Sequence, residues 1–354
     1  MPLTITDAAG ETTTFTYNSF GQIKTVTNAL NETSTLAYDR DQDSNAESDG
    51  YLESITGPVA GVTTSFEYDG FGRLWKTTDQ ENYTVEVQYD AIGGVATQTL
   101  HRPVKVIFPD TTYTQASYHL LDQNWSRDRM GRWTRFYHDE MRRLVAVQDP
   151  LGRKTHYQWC GCGALEGIID PAGHGTSWIR DVQGRVVSKV YHDASQVPYS
   201  YADNPSRLES VTDPRGKITS YSYNIDGSMA GVSYPNATVT TPGVTYGYEP
   251  VYGRLGTVTV GGTVLTTYSY NAITAPAALG AGRLASVDGP LANDTIAYTY
   301  DDLGRVLTRT INGGSTVTVA YDTLRRVDRL TNPLGTFHYA YVNNTARLAY
   351  VAYP

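Results

Sequence analysis

Asp39, Asp41 and Asp43 alternate in one short stretch, and Glu47 follows four residues later. Calcium takes six to eight oxygen ligands, and a twelve-residue loop offers them from positions 1, 3, 5, 7, 9 and 12. The four acids fall on positions 1, 3, 5 and 9 of such a loop. Two requirements are missing. Ser44 stands where the sharp turn needs glycine, and Gly50 stands where a bidentate glutamate closes the site. Calcium is the one cofactor these residues raise, and a solvated acidic insertion is the stronger reading of them.

Cys160 and Cys162 flank Gly161. A structural zinc site needs four ligands, and His156 and His174 are the nearest further candidates. A redox pair is a third reading, although Cα atoms two residues apart are awkwardly placed for a bridge. A plain turn explains the pair with the fewest assumptions. His101, His119, His138, His156, His174 and His192 recur at 18 or 19 residues. That interval drifts against a longer period of 21 residues, so the rings are not expected to stack in one column. No glycine-rich phosphate loop precedes a helix, and no serine or cysteine nucleophile motif is recognisable. Nothing demands an enzyme.

The chain that carries these residues repeats. Tyr68-Asp69-Gly70-Phe71-Gly72-Arg73-Leu74 returns as Tyr300-Asp301-Asp302-Leu303-Gly304-Arg305-Val306, with degenerate copies between. His138, Trp159, Arg180 and Tyr201 are spaced by 21 residues, as are Tyr17 and Tyr38, Tyr68 and Tyr89, and Tyr300 and Tyr321. A copy near Ser117 is almost erased. Half a period later comes a second turn, at Asp149-Pro150-Leu151-Gly152, Asp170-Pro171-Ala172-Gly173 and Asp213-Pro214-Arg215-Gly216. Between turns, aromatic residues alternate with Thr, Ser, Glu and Gln, as in Tyr221/Tyr223 and Tyr298/Tyr300. A spacing of two puts both rings on one face of a strand. Aspartate can accept backbone N–H bonds in a turn, glycine supplies positive φ, and the following arginine can pair with the aspartate. An arginine column that binds phosphate is the weaker reading, since each Arg travels with an acid.

The composition agrees. The 354 residues hold 28 Tyr against 7 Phe, 46 Thr, 33 Gly and 16 Pro. Tyr and Thr favour strands, and Gly and Pro punctuate turns. The net charge of −8 argues against a nucleic-acid partner. No apolar run approaches 18 residues, which argues against a membrane-spanning helix. Residues 1–30 show no basic and apolar leader. The expected fold is all-β: tandem repeats forming a long antiparallel β-meander that curls into part of a spiral shell. A β-propeller is the alternative, because two 21-residue units approximate one four-stranded blade.

The tandem Tyr-Asp-x-x-Gly-Arg units resemble the YD-repeat, or Rhs, family. Trp159-Cys160-Gly161-Cys162-Gly163-Ala164-Leu165 and Leu279-Gly280-Ala281-Gly282-Arg283-Leu284 look like a bacterial subtype of it. The resemblance implies a sheet wound into a hollow shell, which encloses a toxin in bacterial toxin systems and serves adhesion in teneurins. Family toxins also carry a self-cleaving Asp-Pro-x-Gly-Leu segment. Here Arg153, His174 and Lys217 follow the three Asp-Pro-x-Gly sequences, so these read as turns.

The resulting expectation is a single stretch of shell wall over residues 1–354, roughly fifteen repeats, without a protease core or toxin domain. Its partners would be a toxin payload or the remaining shell segments, and its place secreted or at the cell surface. The rival function is a cell-surface adhesin that binds a glycan or receptor. As a fragment of wall, the chain should present bare edges near Thr12–Tyr17 and Phe337–Tyr341 and self-associate.

Overall fold

The computed structural model describes residues 3–38, 50–59, 61–90, 100–203 and 206–354. These form thirty-one strands, from β1 (Thr4–Thr6) to β31 (Leu348–Ala352), in one sheet. Among the described residues the strand pairings are antiparallel and join neighbours in sequence, and there is no helix. The calcium candidates Asp39, Asp41, Asp43 and Glu47 lie outside the described residues.

Many strands end at an Asp-x-x-Gly turn. At Asp69 the carboxylate accepts the N–H groups of Phe71 and Arg73, at 3.0 and 3.1 Å. The Asp69 N–H donates to the Arg73 carbonyl, and the Gly72 N–H donates to the Asp69 carbonyl. Gly72 has φ +71°, a left-handed conformation that glycine adopts at little cost. The half-period turn at Asp149 uses the same bonds, from Leu151 and Arg153 at 2.9 Å each. Two sequence motifs therefore build one turn.

The strands after the tyrosine turns carry a β-bulge. Glu67 opposes Lys76, but Tyr68 opposes Leu74, which leaves Trp75 as an extra residue on β7 (Leu74–Thr78). Likewise Thr299 opposes Thr308 and Tyr300 opposes Val306, so Leu307 is extra on β27 (Val306–Ile311). A bulge bends its strand and increases the local twist.

The chain divides into two compact units. One comprises Met1–Gln88, Phe108–Asp110 and Leu265–Pro354, and the other Tyr89–Ile107 and Thr111–Val264. In the second unit, pairing runs unbroken from β9 (Pro103–Ile107) to β23 (Leu255–Val260). Propeller blades would interrupt the pairing every fourth strand, so the propeller alternative fails. In the first unit, threonines pair across strands on one face, as in Thr27 with Thr33 at 2.8 Å and Thr310 with Thr316 at 3.0 Å. These hydroxyl pairs account for part of the threonine excess.

The sheet is one layer thick in its packing. Among the described residues the buried hydrophobic side chains are Ala146 and Ala281, and no large side chain is fully buried. The aromatic face is half-buried: Phe66 and Tyr68 are intermediate while Glu67 between them is exposed.

Three sequence expectations need correction. The outermost strands are β1, which pairs with β2 (Thr12–Tyr17), and β31, which pairs with β30 (Gly335–Tyr341). Both outer strands lack a full signature, so spacing alone did not reveal them. The erased repeat near Ser117 is centred on Tyr118, where the bulge falls. Its connection is the tight turn at Leu120-Leu121, between the paired His119 and Asp122. Finally, His174 and His192 do meet, with ring centroids 4.3 Å apart. Pairing of Thr176 with Tyr191 places the two adjoining turns side by side.

Candidate functional site

The signature residues form a ladder that ties each repeat to the one before it. Past the bulge, the following ladder stops early. Ser286 is the last residue of β25 (Leu284–Asp288) paired to β26 (Ile296–Tyr300), which leaves the Leu284 carbonyl beyond the backbone ladder. The Tyr300 hydroxyl donates to that carbonyl at 2.7 Å. Tyr68 does the same to Leu52 at 3.0 Å, Tyr201 to Val186 at 2.9 Å and Tyr321 to Val306 at 3.1 Å. Trp159 substitutes its indole N–H, donating to Leu144 at 2.8 Å. The preference for Tyr over Phe has its cause here: the ring covers the sheet and the hydroxyl completes it.

Arginine fills the space beside the ring. Arg305 Nε donates to Asp301 Oδ2 at 2.7 Å, and its guanidinium lies 3.9 Å from the Tyr321 ring centroid in the next repeat. Arg185 pairs with Asp181 and stacks over Tyr201, and Arg326 pairs with Asp322 and stacks over Tyr341. Arg73 pairs with Asp69 and lies over Phe71 in its own turn. A cation held by its own acid and an aromatic face is engaged in the wall, which speaks against a phosphate-binding column.

The electrostatics follow from these bonds. At Asp139 the Arg143 backbone N–H is the largest influence; with the Arg143 side chain it outweighs desolvation and holds the carboxyl below its ordinary value. At Asp69 desolvation is the largest single influence and raises the value, yet the bonds from Arg73 and Phe71 together leave it lowered. Burial pushes the Tyr68 and Tyr300 hydroxyls up.

The structure thus gathers Tyr68, Asp69, Gly72 and Arg73 at one turn and Tyr300, Asp301, Gly304 and Arg305 at another. It also shows contacts that the sequence did not announce. Within the first unit, turns of the early strands meet turns of the late ones. Glu81 accepts from the Asn343 side chain at 2.6 Å and the Asn344 N–H at 3.1 Å. Arg325 donates to Glu32 at 3.1 Å, and Arg347 stacks over Tyr83. Cys160 and Cys162 form a disulfide with Cα atoms 5.2 Å apart, which corrects the expectation of awkward placement. The turn folds the chain back between them, bringing the Cα atoms within the ordinary range for a bridge. The zinc reading has no support: among the described residues no three His, Cys, Asp or Glu side chains gather to hold a metal.

Comparison with known proteins places this geometry. Residues 2–33 match the RHS Repeat family model. No curated protein sequence matches the chain. Among solved structures, the Photorhabdus luminescens Tc holotoxin pore with a mutated TccC3 superimposes with a TM-score of 0.70 at 15% identity, over 97% of this chain and 21% of that one. The TcdB2-TccC3-TEV structure gives 0.68 at 16% identity, over 98% and 22%. TcdB2-TccC3 without its hypervariable C-terminal region gives 0.69 at 16%, over 98% and 21%. The chain spans about a fifth of the length of these structures' chains, and at this identity the likeness is one of fold. Residues 2–33 thus match an RHS repeat, and the tyrosine turn recurs beyond them along a sheet whose fold is like that of these Tc toxin structures.

Proposed function

We propose that the chain is wall material of an Rhs-type shell that sequesters a toxin payload in a secreted bacterial toxin system. The observation that carries this reading is the single-layer sheet. Its aromatic face is half-buried, and its arginines pair with the acid of their own turn while stacking on the ring of the next repeat. Such a surface separates two spaces and needs no catalytic group to do so. The likeness to TcdB2-TccC3 structures supports the toxin context. The payload and the remaining shell segments are the partners, and the work is steric: a chain held behind the wall is kept from proteases.

Protease protection tests this. The complete gene product that contains this sequence is treated with proteinase K, intact and with Tyr68→Ala and Tyr300→Ala combined. A segment that survives in the intact protein and is digested in the double variant supports a confining wall. Equal digestion of all segments in both, or tight glycan binding by an unprotected protein, overturns it in favour of an adhesin.

A further inference from the structure

The turn at Cys160 departs from its sisters in a way that bears on chemistry. One repeat earlier and one later, Asp139 and Asp181 place a carboxylate oxygen against the backbone N–H four residues on, at 2.9 Å in both. At Cys160 a sulfur takes that place. The N–H groups of Cys162 and Ala164 donate to Cys160 Sγ at 3.1 and 3.3 Å. Ala164 stands where Arg143 and Arg185 stand in the sister turns, so this turn has no guanidinium of its own to cover the sulfurs. Arg143 of the preceding repeat donates to the Cys160 carbonyl at 3.2 Å, which sets a positive charge beside the turn. Cys162 is exposed and Cys160 half-buried.

The disulfide has little to do as a staple. Stabilisation by a cross-link rises with the length of the loop it closes, and this one closes three residues. The turn's own backbone bonds, from Cys160 to Ala164 and from Gly163 to Cys160, are those of the sister turns, which close without sulfur. An exposed disulfide that contributes little to the fold is open to exchange.

We propose that Cys160–Cys162 is an exchange-competent disulfide that oxidises an exposed protein or peptide dithiol. A substrate thiolate attacks Cys162 Sγ, the exposed sulfur. A substrate–Cys162 disulfide forms, the Cys160–Cys162 bond breaks, and Cys160 leaves as a thiolate held by the N–H groups of Cys162 and Ala164. The second substrate thiol gives its proton to solvent and attacks its partner sulfur in the mixed disulfide. Cys162 is then the leaving thiolate. The substrate loses two electrons and two protons and becomes a disulfide, and the cysteine pair takes up the two electrons. Backbone N–H groups in this position act on charge elsewhere in the array. At Asp139 and Asp170 the N–H four residues on is the largest influence, and both carboxyls are held below their ordinary value. A thiolate that is stabilised leaves faster.

The test uses the whole chain and a reduced peptide with two cysteines. Mixed with excess peptide, the protein should oxidise about one equivalent of it, as expected for a two-electron couple. Alkylation and mass mapping should then find Cys160 and Cys162 reduced. In Cys160→Ser, Cys162 should be trapped as a mixed disulfide by an oxidised peptide. Cys160→Asp restores the acceptor of the sister turns, so its melting temperature should match the parent while peptide oxidation falls to the background rate. A disulfide that stays intact under excess peptide overturns the proposal, as does unchanged oxidation by Cys160→Asp. If Cys160→Asp fails to fold, the alkylation map of the unaltered protein decides alone.

Discussion

The Tyr300 hydroxyl donates at 2.7 Å to the carbonyl of Leu284, sixteen residues earlier in the preceding repeat. That carbonyl lies where the bulge has ended the backbone ladder, so the tyrosine makes a bond that the sheet itself cannot. Tyr300→Phe keeps the ring and loses the bond. The variant should be less stable by about 1 kcal/mol, the net worth of one such hydrogen bond. Tyr68→Phe should lose a similar amount at the Leu52 carbonyl. Urea midpoints measure both, and unchanged midpoints would assign the tyrosine preference to the ring alone.

Glycine in the turns serves two purposes that substitution separates. Gly152 has φ +82° and room for a methyl group, with only the flexible Gln148 side chain near it at 3.6 Å. Gly152→Ala should cost about 1 kcal/mol for the left-handed backbone alone. Gly304 has φ +69°, and a Cβ there would run into the Arg283 guanidinium. Gly304→Ala should therefore be clearly the more harmful in thermal melts. Equal losses would contradict the packing at Arg283.

Acid should weaken the array in a defined window. Asp128, Asp139, Asp149 and Asp213 are all held below their ordinary carboxyl values, at Asp128 and Asp213 first by a backbone N–H and at Asp149 first by the Arg153 side chain. A depressed value in the folded state means stability that is fully present above the unfolded value, about 3.9. It is lost as pH falls through the lower folded value. Melting temperature should thus hold from pH 7 to about 5 and decline below. Asp139→Asn keeps the turn acceptor, as Asn18 and Asn28 do, and should make that decline shallower. A steeper decline in Asp139→Asn would reverse the assignment.

Contacts between early and late strands of the first unit should report on one another. Glu81→Ala removes the acceptor for the Asn344 N–H and the Asn343 side chain. Hydrogen exchange at Asn344 should quicken severalfold while exchange around Cys160 is unchanged. Uniform acceleration across the chain would point to general destabilisation instead.

Much of this architecture can be read in the sequence because it is local. A turn that spans Asp69 to Arg73 leaves a five-residue trace, and strand alternation leaves a period of two. The tyrosine link is less visible. Its two ends lie about fifteen residues apart, and a bulge at Trp75 or Leu307 leaves no mark in residue type. The contacts of Glu81 with Asn343 and of Glu32 with Arg325 join residues more than 260 positions apart, beyond any repeat-level pattern. Cys160 was read as part of a turn, which it is. Its sulfur in the role of the aspartate oxygen became visible only with the two N–H groups in place.

The tyrosine bond runs in one direction along the chain. The signature rings of Tyr68, Tyr201, Tyr300 and Tyr321 each reach back to the repeat synthesised before. A chain emerging from the ribosome N-terminus first would therefore close each repeat with the tyrosine of the next. At any moment one carbonyl, at the growing margin, would await its donor. The array carries a built-in order of completion, and a repeat duplicated inside it would inherit that order without any change to its neighbours.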